Sequence, residues 1–175
     1  MLTYCSLKSI LTDKFTMSTN SLIEPLSTPT TGKSAILILN GPNLVNVGQR
    51  EAEIYGSTPL VPYLEQLAHD TTEATVAIRY SHYEGALIEY LYMAQELGYQ
   101  AIILNAGGYT HTSVAIADAI RAIALPVIEV HISQPLARES YRHTSLIAPY
   151  CRGSIAGFGV ASYDLAVRVA ILLSR

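Results

Sequence analysis

Ile36-Leu37-Ile38-Leu39-Asn40-Gly41-Pro42-Asn43-Leu44-Val45-Asn46-Val47-Gly48-Gln49-Arg50-Glu51-Ala52-Glu53-Ile54-Tyr55-Gly56 opens as a short apolar strand, Ile36 to Leu39. It breaks at once on Asn40-Gly41-Pro42-Asn43. A long polar loop follows, carrying Arg50 and Tyr55 before the next helix can begin. In an open α/β sheet, the loops that leave the carboxyl ends of the strands are where ligands bind. So elaborate an exit from a first strand signals a site, although taken alone it reads equally well as a turn with a mobile loop.

Outward from that loop, strands and helices alternate. Thr58-Pro59 has the pattern of an N-cap followed by proline at the first helical position. Leu60, Leu64 and Leu67 then predict a helix over Pro59 to Glu73, with Pro62 tolerated in its first turn. Thr75 to Tyr80 is a β-branched run and a second strand, and Glu84 to Leu97 a second helix stopped by Gly98. The third strand is Ala101 to Leu104 and the third helix runs from Ser113 to Ala124, before Pro126. Val127 to His131 is the fourth strand, Ser154 to Phe158 a weaker fifth, and Ser162 to Leu173 the closing helix. Near-continuous apolar strands alternating with helices predict an α/β fold with a doubly wound, five-stranded parallel sheet. The flavodoxin-like order 2-1-3-4-5 then puts the ligand crevice between strands one and three, whose ends carry Asn43 and Asn105.

Composition narrows the functions. The chain has 175 residues, which is one domain's worth, and a formal net charge of −3, which argues against a broad nucleic-acid surface. Only 14% of residues are charged against 50% hydrophobic, so large faces are expected to be buried against other subunits. No apolar run reaches the length of a membrane span. Cys5 and Cys151 form no metal or redox spacing, so a reduced, cytoplasmic protein is the default. Residues 1–33 are rich in Ser, Thr and Pro without apolar periodicity and read as a disordered tail, in which Met17 could be the true start. Residues 34–175 then make the domain.

Three loops at one sheet edge hold the candidate chemistry: Asn43, Arg50 and Tyr55; Asn105, Gly107, Gly108 and His111; His131, Ser133, Arg138 and Arg142. Arginines clamp carboxylates, and histidines beside them suggest proton transfer on an anionic substrate. Each has a plainer reading. His131 could be a core histidine at a strand end, and Tyr55 is one of twelve tyrosines. Arg138 and Arg142 could form a solvated helix face, and Gly107-Gly108 only a tight turn. The free N–H groups of the helix near Ser113 could hold an anion. The Gly157-Phe158-Gly159 pair lacks the third glycine of a dinucleotide fingerprint, and neither a P-loop nor a Gly-x-Ser-x-Gly elbow is present.

Four separated motifs in order resemble the type II 3-dehydroquinate dehydratases: Asn40-Gly41-Pro42-Asn43-Leu44; Arg50 to Gly56; Asn105 to Ser113; and Pro126 to Ser133. Ala137-Arg138-Glu139, Tyr141-Arg142-His143 and Ser145 continue the match, which covers residues 35–175. The resemblance implies dehydration of 3-dehydroquinate to 3-dehydroshikimate, by anti elimination through an enolate, with no metal and no organic cofactor. That reaction serves either the shikimate pathway or quinate catabolism. Tyr55 would remove the proton beside the ketone, and His131 would protonate the departing hydroxyl. Asn43 would hold the water that stabilises the enolate. Asn105, Ser133 and the backbone at Ile132 and Ser133 would bind the carboxylate, with His111 and Arg142 on the ring hydroxyls. Arg50 and Arg138 would close over the site and favour ionised Tyr55, and Glu129 would orient His131. Asp118 of a neighbouring subunit would complete the pocket in a homododecamer built as a tetramer of trimers. Departures from the family pattern fall at Val45, Asn46 and Val47, at Ala52, at residues 80–83 and 134–136, and at Ser162. A diverged non-catalytic subunit and a flavodoxin-like cofactor-binding module are the rival readings.

Overall fold

The computed structural model describes residues 23–29, 32–49, 53 and 56–174. Arg50 and Tyr55 lie outside the described residues, as do Cys5 and Met17.

Five strands make one parallel sheet among the described residues: β1 Ser34–Asn40, β2 Ala74–Tyr80, β3 Ala101–Asn105, β4 Val127–His131 and β5 Gly153–Ala156. Their order is β2-β1-β3-β4-β5, as the alternating pattern predicts. The helices are α1 Leu60–Asp70, α2 Glu84–Glu96, α3 Val114–Ala122 and α4 Ser162–Leu173.

Successive side chains of a strand point to opposite faces, so a strand buried on both sides must be apolar throughout. β1 shows this. Ala35, Leu37 and Leu39 pack with Leu87, Leu91, Ile116 and Ile120 of α2 and α3, whereas Ile36 and Ile38 pack with Leu60, Leu64, Tyr163 and Val167 of α1 and α4. The sheet is thus sandwiched between two helical layers.

Several boundaries move for local reasons. Pro59 has an extended ψ of 127° and precedes α1 rather than starting it, and Thr58 does not cap the helix. α1 stops at Asp70 because Thr71 turns extended, its hydroxyl donating to the Leu67 carbonyl at 2.7 Å. Ser113 is the N-cap of α3, accepting from Ile116 N–H at 2.8 Å, and Ile123 is already extended. β5 ends at Ala156 because Gly157, at φ +89°, turns the chain where a continuing strand was expected.

The expected tail needs correcting at its inner end. Leu26 is buried in the cluster formed with Tyr90, Leu91 and Tyr99. Arg79 Nη2 donates to the Pro25 carbonyl at 2.7 Å, and Tyr99 Oη donates to the Ser27 carbonyl at 3.1 Å. Residues 23–29 therefore pack on the domain, because one leucine and two carbonyls find partners on the β2 and α2 side.

Candidate active site

β1 and β3 end in register, Asn40 beside Asn105, and the loops that leave them diverge around a cleft of about 360 Å³. The start of the cleft depends on Gly41. Its N–H donates to the Asn105 carbonyl at 2.7 Å, and a Cβ at this position would lie 2.5 Å from the Ala106 carbonyl oxygen. The two chains can meet this closely only without a side chain.

Asn43 follows in the left-handed region, at φ 69°, the one non-glycine residue there among the described residues. Asparagine tolerates that conformation better than most residues. Its N–H donates to His82 Nδ1 at 3.2 Å, so the departure from the family pattern at residues 80–83 supports this loop.

β4 and the residues that follow it deliver His131, Ile132 and Ser133 to the cleft. Glu129, two residues back on the same strand and therefore on the same face, is buried, with its Oε1 3.0 Å from His131 Nε2. The hydroxyl of Ser145 donates to Oε1 at 2.7 Å and that of Ser154 to Oε2 at 2.5 Å. Burial pushes the Glu129 carboxyl up, but the hydrogen bonds from His131, Ser154 and Ser145 and the attraction of His131 outweigh it, so the net shift is downward. Ionised Glu129 can only accept, so His131 Nε2 carries the hydrogen in that bond. Nδ1 of His131 has no hydrogen-bond partner among the described residues.

His111 ends the 3-10 turn Gly107–His111, its Nδ1 2.7 Å from the Thr144 carbonyl and its ring centroid 6.4 Å from that of His131. Gly107, at φ +59°, and Gly108 line the cleft with it. That turn, and not the N-terminus of α3, forms this wall. Ser113 does not line the cleft and spends its hydroxyl on the helix.

Arg138 and Arg142 also line the cleft. Arg138 Nη1 lies 3.4 Å from Ser133 Oγ, and its Nε 3.3 Å from Glu139 Oε2. Arg142 Nε donates to the same Glu139 oxygen at 2.8 Å. The backbone N–H of Glu139 and then the Arg142 guanidinium hold the Glu139 carboxyl down to about 2. Glu139 thus keeps two cations close together in one wall. It carries no assigned role in the sequence reading, although its place beside Arg138 and three before Arg142 is a readable charge pattern.

The cleft gathers Asn43, Asn105, Gly107, Gly108, His111, His131, Ile132, Ser133, Arg138 and Arg142. Asp118 is not among them. It lies exposed on α3, paired with Arg121 at 3.5 Å. Such a site, with two arginines and a histidine braced by a buried carboxylate in one cleft, can bind an anion and pass a proton.

Residues 34–171 match the family model described as Dehydroquinase class II. The chain belongs to the class II dehydroquinases. A 3-dehydroquinate dehydratase from Exiguobacterium is 49% identical over 137 residues, covering 78% of this chain and 93% of the relative. One from Thermus thermophilus is 49% identical over 135 residues, covering 75% and 90%. Among solved structures, the type II dehydroquinase from Butyrivibrio crossotus superposes with a TM-score of 0.75 at 37% identity, covering 79% of this chain and 97% of that one. The enzyme from Propionibacterium acnes gives 0.73 at 33% identity, covering 85% and 99%. In this dehydroquinase the strap 23–29 precedes the matched region.

Proposed function

We propose that this dehydroquinase dehydrates 3-dehydroquinate to 3-dehydroshikimate, with no metal and no organic cofactor. The observation that carries the reading is the bracing of His131 by buried Glu129, in a cleft that Asn43 also lines.

Tyr55 takes the proton alpha to the ketone. A phenol of pKa about 10 is only about 0.1% ionised at pH 7, so the base needs cationic neighbours, the role given to Arg50 and Arg138. The electrons of the broken C–H bond pass into the carbonyl as an enolate. A water held by Asn43 donates to the enolate oxygen, where charge develops. The enolate then collapses, the C1–O bond breaks, and imidazolium His131 delivers the Nδ1 proton so that water leaves. Proton balance closes when Tyr55 returns its proton to His131 through solvent.

The carboxylate lies against the backbone of Ile132 and Ser133, the Ser133 hydroxyl and Asn105. His111 and Arg142 take the ring hydroxyls. Asp118 reaches the pocket of a neighbouring subunit in a homododecamer, which suits a chain with so few charges. The protein acts in the cytoplasm, in aromatic biosynthesis or quinate use. No helix among the described residues is long and apolar enough to cross a membrane.

The test is the rise in ultraviolet absorbance as the conjugated enone forms from 3-dehydroquinate, with and without EDTA. A rise unchanged by EDTA is expected, and a flat trace from folded protein would refute the reaction. Size-exclusion chromatography of the same sample tests the assembly, since a monomer would refute the dodecamer.

A further inference from the structure

Tyr163 is on the first turn of α4, with its side chain fully buried. Its hydroxyl lies between the two asparagines that end β1 and β3, 2.6 Å from Asn40 Oδ1 and 2.9 Å from Asn105 Nδ2. The polarity of these bonds is fixed by their atoms. A phenol has one proton, and an amide oxygen can only accept, so Tyr163 donates to Asn40 and must accept from Asn105. On the other side of the same carboxamide, the Gly107 N–H donates to Asn105 Oδ1 at 3.3 Å. Both contacts impose one orientation. A flipped amide would set NH₂ against the Gly107 N–H and its oxygen against an acceptor.

One hydrogen of Asn105 is then left without a partner among the described residues, the second on Nδ2, and Asn105 lines the cleft. We propose that Tyr163 is a positioning residue, which holds Asn105 so that it offers the cleft a donor, and thereby selects a carboxylate over a neutral group at that end of the substrate. The inference rests on the proposed placement of the substrate carboxylate at Asn105. Burial pushes the Tyr163 phenol up, so it stays protonated and keeps the polarity of the relay at any working pH.

The test compares the wild type, Tyr163→Phe, Asn105→Ala and the double variant. Calorimetry reads the Kd of two competing ring ligands, one with a carboxylate and one with a neutral hydroxymethyl group in its place. Loss of one orienting hydrogen bond corresponds to about a tenfold weaker Kd for the carboxylate ligand in Tyr163→Phe. The neutral ligand should stay within about twofold, and Tyr163→Phe should add nothing further in the Asn105→Ala background. An unchanged carboxylate Kd, equal loss of both ligands, or additive losses in the double variant would each overturn the proposal.

Should Tyr163→Phe not fold, a crystal structure of the wild type with the carboxylate ligand decides. Asn105 Nδ2 is expected within hydrogen-bond distance of both Tyr163 Oη and the carboxylate, and an Asn105 turned from either refutes the role. Wild-type turnover of 3-dehydroquinate is measured alongside. Its absence would sink the proposed reaction, while the Kd comparison still decides Tyr163.

Discussion

Replacing Glu129 by Gln removes one charge while keeping the shape of the side chain, and the structure sets the size of the effect. Glu129 is only 1% exposed, so its interactions are little screened. It takes hydrogen bonds from His131, Ser145 and Ser154. Glutamine offers a single carbonyl oxygen, and its NH₂ must face one of those donors. Hydrogen bonds to charged groups are worth about 1.5–3 kcal/mol, so Glu129→Gln should cost about 2–3 kcal/mol of folding stability. It also loosens the ring that passes the proton. General acid catalysis contributes about 10²–10⁴-fold, and partial loss of that role should lower kcat by about 10²-fold.

Urea denaturation and the enone assay read the two effects separately. The pH dependence adds a third reading. Glu129 has its folded-state carboxyl lowered, so its contribution is fully present above the unfolded value of about 4.3. It is lost as pH falls from there through the folded value. The wild type should therefore lose stability in that acid range by an increment that Glu129→Gln lacks. A variant within about threefold of wild-type kcat, against the 10²-fold expected of the role, would refute the bracing of His131. An unchanged urea midpoint would refute the energetic account of Glu129.

Tyr55→Phe should abolish turnover while leaving ligand affinity nearly intact in calorimetry, and an active variant would remove Tyr55 as the base. Gly41→Ala places a methyl 2.5 Å from the Ala106 carbonyl oxygen. Backbone must move, and a loss of about 1–3 kcal/mol in urea denaturation is expected; unchanged stability would show that the loops can part freely. Leu26→Ala should cost about 2 kcal/mol, the lower end for a buried leucine, given its 7% exposure. Turnover per folded molecule should not change, and a variant as stable as wild type would show that the strap does not hold.

The sheet order and the edge that carries the site are legible in the sequence. Both follow from local periodicity and from loops such as Asn40–Asn43, whose chemistry is contiguous in the chain. His131, Arg138 and Arg142 were legible as candidates because strand topology sends every β-to-α loop to one edge. The segment 23–29 departs from the expected tail for the converse reason. Its composition is that of a loop, and its order comes from Tyr90, Tyr99 and Arg79, more than 50 residues away in sequence, as the separation of 54 between Pro25 and Arg79 records. Tyr163 gave no signal among twelve tyrosines. Its partners lie 58 and 123 residues away, and only the folded sheet brings Asn105 and Asn40 to its hydroxyl. Local sequence fixes which elements form, because their propensities and patterns are short-ranged. Which polar groups finally satisfy one another was left to tertiary packing, because a buried hydrogen bond is chosen by the geometry of several elements at once.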